Sequence, residues 1–288
     1  MQLRMMKYLR PLRGGSCPRL MSSDKDDLYV VKLLGNPQGN RVLANELLAG
    51  RLGALAGLPV PELHEVVLDK QVADDIRTGR EGSDVGLGPH LASKYPVSIL
   101  HGRVYDCIPR AATLESPRDI VGAAVFDAWT GNTDNRQFVY WRRSQDKRYK
   151  ILMIDNGFCF GGVGWNLRHR PLDPACQLAL LPELRLLTAS ADMVSVNQML
   201  ADWMAAISRI QPSDIRVALS NVPQEWNAAA SDLKILAERL IERKEMLGRN
   251  KVLNNVICAE SRSYRNNLFS RYNSDFWHSY RGIGESRQ

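Results

Sequence analysis

Cysteine is scarce in this chain and badly placed for structure. Its five residues, Cys17, Cys107, Cys159, Cys176 and Cys258, are odd in number, scattered, and never in CxxC spacing. That excludes a disulfide framework and a cysteine zinc site. The five histidines, His64, His90, His101, His169 and His278, show neither HExxH nor HxH spacing, so zinc chemistry through histidine is excluded as well. No apolar run reaches the roughly 18 residues that a membrane helix needs. The opening MQLRMMKYLRPLRGG lacks the apolar core and cleavage site of a secretory signal, so the expected location is the reducing cytoplasm. A global lack of order is excluded too, because 44% of residues are hydrophobic and 24% charged. At roughly 150 residues per domain, 288 residues predict two lobes. Acids are outnumbered 31 to 38 by Lys and Arg, a net of +7, which permits anionic partners without selecting one.

The first hundred residues read as strands around one helix. LYVVKLL at 28–34 leaves a polar turn, SSDKDD, and ends at Gly35, Asn36 and Pro37, which predicts a strand. Two short strands before it flank Arg13-Gly14-Gly15-Ser16-Cys17, a glycine turn. From Asn40 to Ala56 the spacing of Leu43, Leu47 and Ala54, with Leu48, Leu52 and Leu55 alongside, predicts a largely buried helix stopping at Gly57. Residues 65–90 read as a long loop with a short amphipathic piece, and 95–108 as extended chain near a hinge between about 91 and 110.

Ser116-Pro117-Arg118-Asp119 predicts a helix opening, with Ser116 as cap, and that helix runs to Gly131. FVYW at 138–141 and YKILMI at 149–154, joined by a charged turn, predict a hairpin, and 175–256 reads as helices. The last thirty residues interleave arginine with aromatics. Such a tail can stack on single-stranded nucleic acid or fold back on the body.

The chemistry centres on that hairpin, which has an acid outside each end. Antiparallel pairing brings Asp134, before the first strand, to the same mouth as Asp155, after the second. With Asn132, Asn156 and Gln137 they offer the hard oxygens that Mg²⁺ prefers, although Asp and Asn beside Gly also simply cap turns. Lys32 lies inside an apolar strand, where it either points to solvent from an edge or needs a partner because an unpaired ammonium is costly, and Glu46 on the following helix, either a solvated charge or that partner, is the natural candidate. Gly14, Gly15 and Ser16 either approach phosphate oxygens through their amides or merely make a tight turn.

The order of these parts resembles the protein-kinase-like fold. More closely, RGGSCPRLM, YVVKLLGNPQGNRVLANELLAGRLGALAGLPVPE, PHLASKYP, FDAWTGNTDNRQFVYWR, ILMIDNGFCFGG and VPQEWN resemble the HipA-like kinase family in its compact single-chain branch. The resemblance implies an α+β, bilobal fold. An N-lobe, residues 1–100, is a small antiparallel sheet with one main helix; a mostly helical C-lobe spans 101–258; the basic aromatic tail is 259–288. It implies a kinase that transfers the γ-phosphoryl group of ATP, with Mg²⁺, to a Ser/Thr hydroxyl of a protein substrate. Lys32 would hold the α- and β-phosphates, Glu46 orient it, and Gly14, Gly15 and Ser16 form the phosphate loop. Asp134 would be the catalytic acid, Asp155 the metal ligand, and backbone near Leu91–Tyr95 the adenine partner. The family carries Asn five residues after the catalytic Asp, where this chain has Val139, so Gln137 is the candidate second metal ligand. That departure leaves an ATP-binding pseudokinase open, and a small-molecule or lipid kinase is the third reading.

Overall fold

The computed structural model describes residues 3–78, 85–98, 101–106, 114–184, 187 and 193–249. Cys107, Cys258 and the tail at 259–288 therefore lie outside the described residues.

Strands β1 (Met5–Pro11), β2 (Arg19–Ser23), β3 (Leu28–Lys32), β4 (Leu63–Val66) and β5 (His90–Lys94) form one antiparallel sheet in the order β1-β2-β3-β5-β4. The glycine turn joins β1 to β2 as its composition predicts, with Pro11 opposite Arg19 and Arg19 opposite Val31. The turn therefore stands at the same end of the sheet as Lys32. Alternation along β3 sends Tyr29 and Val31 into a core with Met5, Met21, Val66 and Ala92. Lys32 takes the opposite face, opposite Leu91, and Leu91 packs on Leu43, Ala44 and Leu47 of helix α1 (Arg41–Leu55). Period-two geometry thus aims the lysine at α1.

Helix α1 is buried along nearly its whole length. Gly50 lets the next strand approach, since a Cβ there would stand 2.3 Å from Leu63 Cδ1. The stretch 65–90 read as a long loop begins inside β4 and contains α2 (Lys70–Thr78), whose Val72, Ala73 and Ile76 are the amphipathic piece's buried stripe.

A second antiparallel sheet is ordered β6 (Gly102–Tyr105), β7 (Gln137–Arg143), β8 (Lys150–Ile154). The chain changes sheets between Lys94 and Gly102, inside the stretch expected to hold the hinge. Helix α3 (Arg118–Thr130) is buried from Ile120 onward and ends at Gly131, whose φ of +63° is the left-handed conformation glycine tolerates. Ser116 does not cap it. The helix begins after Pro117 with no side-chain cap, and it is the Ser116 backbone carbonyl that accepts the Asp119 N–H at 3.3 Å. Helices α4 (Pro174–Leu180), α5 (Met193–Ser208) and α7 (Ala230–Arg249) pack around α3, and α6 (Pro212–Ala218) lies against α1 and α7. Arg243 of α7 locks the end of α3, donating to the carbonyls of Ala128 and Trp129. Among the described residues no helix is long and apolar enough to cross a membrane.

Candidate active site

Lys32 and Glu46 meet as an ion pair almost closed to solvent, 9% and 5% exposed. The same ammonium donates to Asp155 Oδ1 at 2.9 Å, so three of the predicted residues, drawn from β3, α1 and the end of β8, form one cluster. Two acids share one cation, leaving an excess negative charge. Burial works to lower the Lys32 ammonium, but Glu46 and Asp155 outweigh it and hold the group above its ordinary value. Burial pushes the Glu46 carboxyl up, against the pull of Lys32 and of an N–H donated by Asn156. Asp155 is less enclosed, and Lys32 overcomes its burial and draws it down. Asp155 is therefore the acid that the lysine draws down, and Glu46 the one that desolvation pushes up.

In the hairpin, Gln137 lies opposite Ile154. That register places Asp155 beside Gln137, whose amide nitrogen donates to Asp155 Oδ2 at 3.0 Å. Asp134 stands three residues before Gln137, at the same end of the hairpin. Its carboxylate is exposed, and its Oδ1 accepts from the Asn135 N–H at 2.8 Å. Among the described residues no three His, Cys, Asp or Glu side chains gather into a metal cluster.

Two oxygen donors expected at a metal are otherwise engaged. Asn132 Oδ1 accepts from the Asp134 N–H at 3.2 Å, and Asn156 Oδ1 accepts from Arg136 at 2.7 Å. Arg136, missed by sequence reasoning, is fully buried and paired with Asp127 of α3. It also donates to the Ile154 carbonyl at 3.0 Å. The signal for Asp127 was present: an acid inside the apolar helix FDAWT must find a cation, and Arg136 is nine residues on.

The glycine turn is tied to the chain that leads into α1. Asn36 donates to the Ser16 carbonyl at 3.0 Å, and a Cβ at Gly15 would meet the Gln38 amide at 2.7 Å. Gly14 has a φ of +138°, and Ser16 is buried. The backbone expected near adenine is largely taken up by the sheet. Leu91, Ala92 and Ser93 pair with β3 on one side and β4 on the other, while Lys94 and Tyr95 donate to the carbonyls of Glu62 and Leu28. Those N–H groups are used by the sheet.

Asn45, also missed, is fully buried next to Glu46 and holds the loop after Asp155. Its amide donates to Gly157 O at 2.7 Å and, at longer range, to Cys159 O at 3.3 Å and Gly162 O at 3.4 Å. In return its Oδ1 accepts from the Trp165 indole at 2.6 Å. Arg41 lies over the Trp165 ring, 4.8 Å from its centroid. Cys159 inside this loop is buried, which pushes its thiol up to about 12 and makes it inert.

The fold and this cluster define a kinase-like protein. Residues 8–155 match the HipA-like kinase family, half of the chain, and the chain belongs to that family. Among solved structures it is similar to the Helicobacter pylori proinflammatory kinase CtkA at 15% identity, covering 86% of this chain and 94% of that one, with a TM-score of 0.50. It is also similar to the Golgi casein kinase with Mn/ADP bound, at 12% identity over 87% of this chain and 73% of that one, TM-score 0.45. HipA of Shewanella oneidensis MR-1, in a complex with HipB and operator DNA, aligns at 14% identity over 85% and 72%, TM-score 0.47. No curated protein matches.

Proposed function

We propose that this chain transfers the γ-phosphoryl group of ATP, with Mg²⁺, to a Ser or Thr hydroxyl of a protein, across a cleft between an N-lobe of residues 1–100 and a C-lobe of 101–258. The observation that carries the reading is the buried Lys32–Glu46–Asp155 cluster, at the sheet end that also bears Gly14, Gly15 and Ser16. An ammonium held charged in a closed site is a fixed countercharge for the α- and β-phosphates. Glycine-turn amides suit the remaining oxygens.

The donors fit Mg²⁺, which keeps waters and takes one or two carboxylates plus phosphate oxygens. Asp155 would supply the carboxylate, and Gln137 would supply its amide oxygen. The ion neutralises charge on the phosphates when bound. Asp134, exposed at the mouth, takes the acceptor's proton as its oxygen bonds to the γ-phosphorus. The bond to the β–γ bridging oxygen breaks and ADP leaves.

A second reading rests on Val139, an aliphatic side chain within β7 opposite Leu152, where the family's second metal ligand stands. It predicts nucleotide binding without transfer. Radiolabelled ATP with the wild type, Asp134→Asn and Asp155→Ala separates the two. Label transferred by the wild type and lost in both variants supports the kinase. Equal incorporation by all three removes these acids from the reaction, and no transfer with retained thermal stabilisation by ATP and Mg²⁺ establishes the pseudokinase.

A further inference from the structure

The acid proposed to take the proton sits at the apex of a loop that one buried carboxylate spans from below. Asp127 is 2% exposed, on a helix that is apolar on every side. Its Oδ1 accepts from Asn132 at 3.2 Å and from a terminal Arg136 nitrogen, and its Oδ2 accepts from Arg136 Nε at 3.0 Å. Its backbone carbonyl accepts from the Asn132 N–H at 3.0 Å. Asn132 and Arg136 stand two residues before and two residues after Asp134. Asn132 then passes the constraint on, its side-chain oxygen receiving the Asp134 N–H. Arg136 passes it the other way, to the Ile154 carbonyl and the Asn156 side chain, the two residues that flank Asp155.

We propose that Asp127 is a positioning residue for phosphoryl transfer: through Asn132 and Arg136 it fixes where Asp134 stands relative to Asp155. The proposal rests on the kinase reading above. Stability alone does not call for this arrangement, since well-packed apolar side chains serve a helix interior at least as well as a buried ion pair. What the ion pair adds is direction. A planar guanidinium held on both carboxylate oxygens has little freedom to tilt, so its remaining N–H groups point at fixed places on the neighbouring strand end. Asp134 itself is exposed and, among the described residues, its carboxylate is held only by the adjacent Asn135 N–H, so its location is set by the anchors on either side of it.

The test follows ADP formation from ATP and Mg²⁺, with water as acceptor, in the wild type, Asp127→Asn, Asp134→Ala and the double variant. Misplacing the reacting group by an ångström is expected to lower kcat in Asp127→Asn about 100-fold, while the Kd for ADP stays within about twofold of wild type. In the Asp134→Ala background the same change is expected to alter the rate less than about twofold, because the residue it positions is gone. An equal fall in both backgrounds, as general loosening of the fold would give, overturns the proposal, and so does an unchanged kcat in the wild-type background. Should Asp127→Asn fail to fold, Asn132→Ala severs only the neutral link and leaves the ion pair intact. It is expected to lower kcat about tenfold, again only when Asp134 is present, and additive losses overturn the proposal. A wild type that neither forms ADP nor transfers label from radiolabelled ATP to protein sinks the kinase reading and this proposal together. A working wild type with an unaffected Asp127→Asn and Asn132→Ala sinks this one alone.

Discussion

Replacing Lys32 with Met removes the cation that bonds both acids and leaves the shape of the strand intact. Glu46 and Asp155 would then face each other without the ammonium they share, in a site where Lys32 and Glu46 are both nearly closed to water. Removing one partner of a buried pair costs about 3–5 kcal/mol, most of it from the charge left behind. The loss should depend on pH in a defined direction. Glu46 is already raised by burial against the pull of Lys32, and without Lys32 it rises further. A carboxyl whose folded pKa exceeds its unfolded value binds its proton more tightly in the native state. Stability is therefore greatest below the unfolded value of 4.5 and falls as pH rises through the folded one. Urea unfolding of wild type and Lys32→Met at about pH 5 and about pH 8 should show the variant's deficit growing with pH by about 1.4 kcal/mol per unit of added shift. Taking the difference at each pH cancels other titrations common to both proteins. Lys32→Met combined with Glu46→Gln should recover part of the deficit and flatten its pH dependence. A deficit below about 1 kcal/mol, or one the same at both pH values, would refute the compensation argument.

Two further outcomes follow from buried groups elsewhere. His90 is 2% exposed and its Nδ1 accepts the Leu34 N–H at 2.8 Å, and burial lowers its pKa to about 4. The unfolded chain binds a proton first, so wild-type stability should fall as pH drops from about 6.5 to about 4, by about 3 kcal/mol in total. His90→Gln, followed by denaturant titration, should remove that slope, and an unchanged slope would assign it to other groups. Asn45→Ala leaves the carbonyls of Gly157, Cys159 and Gly162 and the Trp165 indole without this partner, and should cost about 2 kcal/mol. Hydrogen exchange should rise within 157–165 first, and protection equal to wild type there would show that the loop holds itself.

Much of the fold was legible because its signals are local. β-Branched residues, glycine punctuation and leucine spacing marked β3, α1 and the β7–β8 hairpin to within a few residues. Lys32 and Glu46 were legible for a different reason: a charge inside an apolar strand demands a partner, and the next helix offered one. Asp127 and Arg136 obeyed the same rule but were passed over. Arg136 lies in a polar loop, TDNRQ, where an arginine reads as a surface charge, and only the turn at Gly131 folds it back under α3. Ser116 misled in the opposite way, since its cap sequence was correct while Pro117 takes the cap position and no side chain caps the helix. β4 was not legible because it is only four residues long and its second half falls in the polar stretch read as loop.

Adjacent residues of α1 grip different parts of the molecule: Glu46 the lysine, Asn45 the loop beyond Asp155. An inhibitor designed to wedge this helix outward and occupy the space behind it would have to break both grips at once. Forfeiting about four hydrogen bonds near 1 kcal/mol each would weaken such a compound roughly a thousandfold against one that accepts the helix where it stands. For medicinal chemistry this protein is a target to be filled as found, not pried open.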